Sequence, residues 1–384
     1  MNMKRMIGII LSLIALIALL STSVLLCRAQ GGKISYEVTD TDVIVRGPHF
    51  EVYISLTGGI RKYIVDDTTV LKDTAVYMWG PKWAGAGFTT YIGDVVKDPD
   101  IEMIEGGVRI ITYARWNRPQ YSQFLDVVTV HEVYESGVVY VVQNITAFKD
   151  SQYELAVVMA SLPCQVYMGR NATLYKEGSK IGDVYMKEEP AKPATRILYQ
   201  GAFDILQISA PGGAVSLLFI VLTPPVIGGW IQDYRAWGAD YYAVMPTVEG
   251  FSYKKSLAPG EGATIKFLVF PHKKGAEYNA KAVEALSKQV STYKYIAKVK
   301  GIAKSGKAIE YVEKAEKMLP QVLKYICMGD VDGALGVVNQ AYNYARLAYR
   351  TEVLRIATWF IIIPAAASLV VIVLFGIKGI RIRR

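Results

Sequence analysis

A run of twenty-two residues without a charge, 356–377 (IATWFIIIPAAASLVVIVLFGI), constrains this chain more than any other stretch. At 1.5 Å rise per residue it makes about 33 Å of helix, enough to cross a hydrocarbon core of about 30 Å. Lys378, Arg381, Arg383 and Arg384 follow it. Basic flanks favour the cytoplasmic side, so the expectation is a single-pass cell-membrane protein whose tail, 378–384, is cytoplasmic and whose bulk is extracytoplasmic. Trp359 falls near the outer interface, and Pro364 is tolerable in a membrane helix where neighbours satisfy the freed carbonyl.

A second apolar run, 7–26, follows Lys4 and Arg5 and ends in Cys27-Arg28-Ala29-Gln30. Residues 1–30 therefore read as a signal peptide or as an uncleaved signal anchor, the run being longer than the usual h-region of about 7–15 residues. Both readings put residue 31 outside. These two ends explain a mean hydropathy of +0.23 in a chain that is 20% charged. The net charge of +9 is spread over the terminal flanks and the helical segment before the span, which is not the dense patch of a nucleic-acid binder. The lysines before the span form either a solvated helix face or a contact with anionic headgroups.

Between these ends the periodicity changes twice. Over 32–272 short runs such as 42–46, 50–55, 108–113, 127–134, 138–144, 156–160, 214–221 and 264–270 alternate with turn residues, including Gly58-Gly59, Gly106-Gly107 and Pro211-Gly212-Gly213. The fold class expected is mainly β: a large antiparallel sandwich, followed by an α-helical stalk and a C-terminal transmembrane helix. The stalk, 276–355, divides into a helix from Tyr278 to about Ile302, a second capped by Ser305 with a kink or break at Pro320, and a third from Gly329-Asp330 that runs on into the span, 356–377. In the third, Ala334, Val338, Ala341, Ala345 and Ala348 recur at spacings of four and three, a small-residue seam suited to a membrane-protein partner.

Chemical motifs are sparse. His49, His131 and His272 stand alone, and neither H-x-x-x-H, G-x-S-x-G nor a P-loop occurs, so no catalytic residue, metal or cofactor is assigned. His131 and Glu132 are strand neighbours and point to opposite faces. Asp66-Asp67 reads as turn chemistry. Cys164 and Cys327 could pair in an oxidising compartment or stay as two buried thiols. Asn144 and Asn171 head glycosylation sequons.

The richest signal is aromatic: Trp79 and Trp83 in a Gly-punctuated loop, Trp116 between two arginines, and Trp230, Asp233, Arg235 and Trp237 in one short stretch. Flat rings beside polar side chains suit a sugar or an extended peptide, while rings that merely plug the ends of a sandwich are the alternative. These seven residues are the candidate ligand-binding set.

The stretch Val52-Tyr53-Ile54-Ser55-Leu56-Thr57-Gly58-Gly59-Ile60-Arg61-Lys62-Tyr63, a strand closed by a GG turn before an apolar restart, resembles the opening of the large periplasmic domain of the YidC membrane insertases. The order of parts is similar over roughly residues 35–275. The resemblance implies a galactose-mutarotase-like supersandwich with a ligand cleft, and an accessory role at a membrane complex. The further spans that carry insertase activity in that family do not follow here, so no catalytic residue transfers. The function expected is that of a membrane-anchored extracytoplasmic binding protein for a surface glycan or an envelope protein. The alternatives are an accessory subunit of a membrane-protein assembly and a carbohydrate epimerase or lyase.

Overall fold

The computed structural model describes residues 34–88, 91–210, 214–223 and 225–381. The N-terminal segment 1–30 with Cys27, the Pro211-Gly212-Gly213 turn, and Arg383 and Arg384 of the tail lie outside the described residues.

Two antiparallel sheets face each other, as the period-two runs require. Sheet A runs, in spatial order, β1 (Ser35–Val38), β2 (Asp42–Arg46), β3 (Phe50–Ser55), β4 (Ile60–Val65), β5 (Thr68–Trp79), β12 (Leu155–Pro163), β19 (Tyr241–Val248), β18 (Val226–Asp233) and β15 (Ile197–Gln200). β6 (Ala86–Phe88) pairs with β5 off this path. Sheet B runs β14 (Ser179–Tyr185), β13 (Asn171–Lys176), β16 (Ile205–Ile208), β17 (Ser216–Thr223), β21 (Gly262–His272), β10 (Val139–Ala147), β9 (Gln123–Tyr134), β8 (Gly107–Arg118) and β7 (Asp94–Ile104). A small ribbon pairs β11 (Ser151–Gln152) with β20 (Ser256–Leu257).

β9 shows how pattern becomes layer. Leu125, Val127, Thr129, His131 and Val133 point into the sandwich and are buried, while Asp126 and Glu132 point outward to Arg115 and Arg109. All nine residues of β12 are buried, so this central strand of sheet A is covered on both faces, which its unbroken apolar sequence requires.

Helices α1 (Ala276–Lys300), α2 (Gly306–Cys327) and α3 (Val331–Ala357) do not stand off as a stalk over their whole length. They pack on one another and on the outer face of sheet B, sharing one apolar cluster with Ile205, Leu218, Ile220, Leu268 and Phe270. The buried positions of α2 (Ala308, Val312, Ala315, Leu319, Val322, Ile326) and of α3 (Ala334, Val338, Ala341, Ala345, Ala348) recur at the same four-and-three spacing. The alanine seam is thus filled by this chain's own helices and leaves no surface there for a partner, a correction to the sequence reading. α2 also runs unbroken through Pro320. Leu319 and Val322 are buried on either side of the proline and Gln289 donates to the Leu319 carbonyl at 2.8 Å, so packing holds the turn that the missing N–H weakens.

α3 continues through a π turn, Thr358–Ile362, into α4 (Ile363–Arg381). The wide turn sits where the ring of Pro364 would press on the carbonyl of Phe360, and it relieves that clash without a break. Together these turns make one helix, Val331–Val373, long and apolar enough to span a membrane, with its apolar end unburied. Cys164 and Cys327 are separate, buried, free thiols.

Candidate functional site

The outer face of sheet A, on the opposite side of the sandwich from the helices, carries a second apolar layer. Its floor is Leu155, Val157 and Met159 from β12 with Ala243 and Met245 from β19. Register sets this floor: Ser161 lies opposite Ala243, Trp230 opposite Met245 and Tyr77 opposite Val157, so alternate residues of four adjacent strands share the face. Half-buried Tyr77, Trp79, Trp230, Tyr234 and Tyr241 cover it. Tyr77 and Trp79 meet edge to face at 4.4 Å, Trp79 meets Trp83 at 5.8 Å, and Tyr234 stacks on Tyr241 at 5.2 Å. Burial raises the hydroxyl pKa of Tyr77, Tyr234 and Tyr241, keeping all three protonated donors.

A polar border adjoins the rings. β5 carries an extra residue against β12 between Lys72 and Ala75, and Asp73 sits at this bulge. The Asp73 carboxyl is raised by burial and accepts from the hydroxyl of Tyr91, and its charge reaches Tyr241. Arg61 lies 5.2 Å from the Tyr91 ring and pairs with Asp42 at 3.1 Å.

Of the seven residues singled out in the sequence, three lie on this face. Trp79 and Trp230 are half-buried in it and Trp83, 59% exposed, stands at its margin. Trp237 is equally exposed on the 3-10 turn after β18, beside the Arg196 guanidinium at 5.2 Å.

The other three are corrected. Trp116 faces the interior of the sandwich from β8 and is fully buried, because it occupies an inward position in the alternation of that strand. Asp233 is fully buried and spent on the Arg235 side chain, at 2.8 and 2.9 Å, and on the amide of Ala191. Burial opposes its ionisation, but these bonds outweigh it and hold the carboxyl below its usual range. Arg235 donates in addition to the carbonyls of Lys187, Glu188 and Glu189, so the pair is a clasp for that segment and offers nothing to a ligand. Tyr77, Tyr91, Tyr234, Tyr241 and Asp73 were missed; the signal available was the alternation of Tyr77 with Trp79 in one strand.

Of the sequon asparagines, Asn171 is exposed at the start of β13, whereas Asn144 is half-buried in mid-sheet and accepts from Thr264 at 2.7 Å. The solitary histidines also meet company. His49, Asp66, His272, Lys273 and Lys274 line a cavity of about 350 Å³ at the end of the sandwich, floored by Phe50, Tyr63 and Val65. Asp66 is held below its usual range, chiefly by Lys273 at 2.8 Å, and His272 bonds Asn279 at 2.7 Å. Among the described residues no three His, Cys, Asp or Glu side chains come together as metal ligands.

No family model matches the chain, and no curated protein does. Among solved structures it is similar to a galactose 1-epimerase from Lactobacillus acidophilus, at a TM-score of 0.36 and 11% identity, covering 63% of this chain and 99% of that one. It is similar to an α-galactosidase from Lactobacillus brevis at a TM-score of 0.40 and 8% identity over 67% of this chain, and it spans only 42% of that protein's length. A GalM/aldose epimerase homologue from C. elegans gives a TM-score of 0.36 at 8% identity, covering 59% of this chain and 96% of that one. These are similarities of sandwich architecture at low identity, and what the chain binds is read from its own side chains.

Proposed function

We propose that the chain is a membrane-anchored binding protein that holds its sandwich outside the cytoplasm and takes a glycan on the aromatic face of sheet A. The observation that carries this reading is the set of half-buried rings, Tyr77, Trp79, Trp230, Tyr234 and Tyr241, on the outer face of sheet A, which no α-helix covers among the described residues. Sugar C–H faces pack on such rings, and half-buried Gln232, opposite Ala243 and two residues from Trp230 on the same face of β18, supplies with Asp73 the few placed polar groups that orient a saccharide. An extended segment of an envelope protein would use the same rings, and edge strand β15 lies directly beside β18, with Gln200 opposite Trp230, so strand addition there is the second reading of this face.

Proton chemistry is the weaker use of this border. A lyase or epimerase needs a base poised near neutrality; burial moves the Asp73 carboxyl towards that range but it is spent on the Tyr91 hydroxyl, which is itself pushed upward, away from it. The accessory-subunit role implied by the resemblance to YidC keeps the span as its contact surface, since the alanine seam is filled.

The test is a glycan array read with the detergent-solubilised chain, then titration of the strongest ligand. Trp83→Ala and Trp230→Ala should each weaken binding roughly fivefold or more, the loss of one ring contact. Trp237→Ala should leave it unchanged. Affinity that survives Trp83→Ala and Trp230→Ala together would overturn the assignment of this face.

A further inference from the structure

The α1–α2 loop lies at the level where the span enters its apolar run. Glu352 of α3 accepts from the amide of Ser305 at 2.6 Å. Four residues, about 6 Å of helix, separate Glu352 from the start of the charge-free run at Ile356. A bilayer of about 40–45 Å with a core of about 30 Å has roughly 5–7 Å of headgroup on each side. The loop therefore falls within the headgroup layer once α4 occupies a membrane.

Its side chains suit that depth. Lys298, Lys304 and Lys307 are exposed, and none makes an ion pair among the described residues. Three carboxylates around them are engaged: Glu316 with Lys300 at 2.7 Å, Glu310 with Lys314 at 2.6 Å, and Glu352, itself buried, with Arg355 at 2.7 Å. Exposed Glu313, in the groove beside Ala303, makes no ion pair among the described residues, and against the three lysines it leaves the loop net positive. Half-buried Ile302 and Ala303 give the loop an apolar edge, and Trp359, 61% exposed, lies on its span side. The loop is held rigid, because Ser305 also caps α2 by accepting from Ala308.

We propose that this loop is a lipid-binding foot: Lys298, Lys304 and Lys307 bind the phosphates of anionic lipids in the outer leaflet and set the helical bundle upright on the bilayer. The proposal rests on the membrane-spanning reading of α4. Three lysines near an anionic surface together favour anionic over zwitterionic lipid by about tenfold or more.

The test uses the full chain in nanodiscs of phosphatidylcholine with or without phosphatidylglycerol, with a fluorophore on Gly306→Cys or on Leu369→Cys in a Cys27→Ser background. Gly306 has open space around it, and Cys164 and Cys327 are buried. The expected result is quenching of the Gly306→Cys probe by a headgroup spin label and of the Leu369→Cys probe by a spin label near the end of the acyl chain, with phosphatidylglycerol enriched among co-purified lipids. Lys298→Gln/Lys304→Gln/Lys307→Gln should cut that enrichment about tenfold or more. A quenched Leu369→Cys probe with an unquenched Gly306→Cys probe, or with enrichment that ignores the triple substitution, overturns the foot and leaves the span standing. An unquenched Leu369→Cys probe overturns the membrane reading and the foot with it.

Discussion

Glu352 occupies the next seam position after Ala348, four residues on, where another small apolar residue would be expected. Its side chain is fully buried, which by itself raises a carboxyl pKa, yet hydrogen bonds from Ser305, Arg355 and the Lys304 amide outweigh burial and pull it down to about 2. A carboxyl depressed in the fold stabilises above its unfolded value and ceases to do so as pH falls towards 2. Glu352→Gln should cost roughly 1.5–3 kcal/mol at neutral pH, the worth of hydrogen bonds to a charged group, with the loss shrinking towards pH 2. Buried His131 and His272 work in the next window. Burial lowers them to about 3 and about 4, so the unfolded chain takes up protons first and stability falls as pH drops below about 6.5. Replacing His131, which has no hydrogen-bond partner among the described residues, by Leu should flatten that slope by up to about 1.4 kcal/mol per pH unit between about 6 and 4. Denaturant midpoints of the solubilised chain against pH measure both effects.

At the scale of elements, the matched spacing of α2 and α3 explains why an alanine seam is needed. Small side chains let the two axes approach, and Ala341, Ala345 and Ala348 are fully buried at the contact. Ala345→Leu should destabilise the bundle by roughly 1–3 kcal/mol through overpacking, seen as a lower Tm, while the exposed neighbour Arg346→Leu should change it little. The turn between β9 and β10 is equally constrained. Gly137 has φ +91°, its carbonyl accepts from Tyr63, and an added Cβ would stand 2.9 Å from the Tyr63 hydroxyl. Ser136 in the same turn donates to the Cys327 carbonyl at the end of α2, so one glycine conformation links the sandwich to the bundle.

For the whole molecule, the decisive feature is the different use of two outer sheet faces. Sheet B's is apolar where β17, β21 and β10 lie and is covered by helices; sheet A's is apolar at β12 and β19 and, among the described residues, is covered by aromatic rings. That asymmetry could not be seen from one dimension, because the strands concerned come from residues 68–79, 155–163 and 226–248 and become neighbours only by crossing between hairpins.

Local periodicity was sufficient for the sandwich class, the three helices with their starts near Ser305 and Asp330, the apolar helix that follows and the opposed faces of His131 and Glu132, since each depends on neighbours a few residues apart. Composition drew attention to Trp79, Trp83 and Trp230, because large rings among glycines stand out in any context, and the structure gathers them on one sheet face. Only the tertiary structure decided that Trp116 turns inward, that Asp233 and Arg235 consume each other, that the alanine seam is already occupied, and that Glu352 ties a lysine-bearing loop to the base of the bundle. Each of these is a long-range pairing, set by register and packing between segments that carry no sign of one another in their own order.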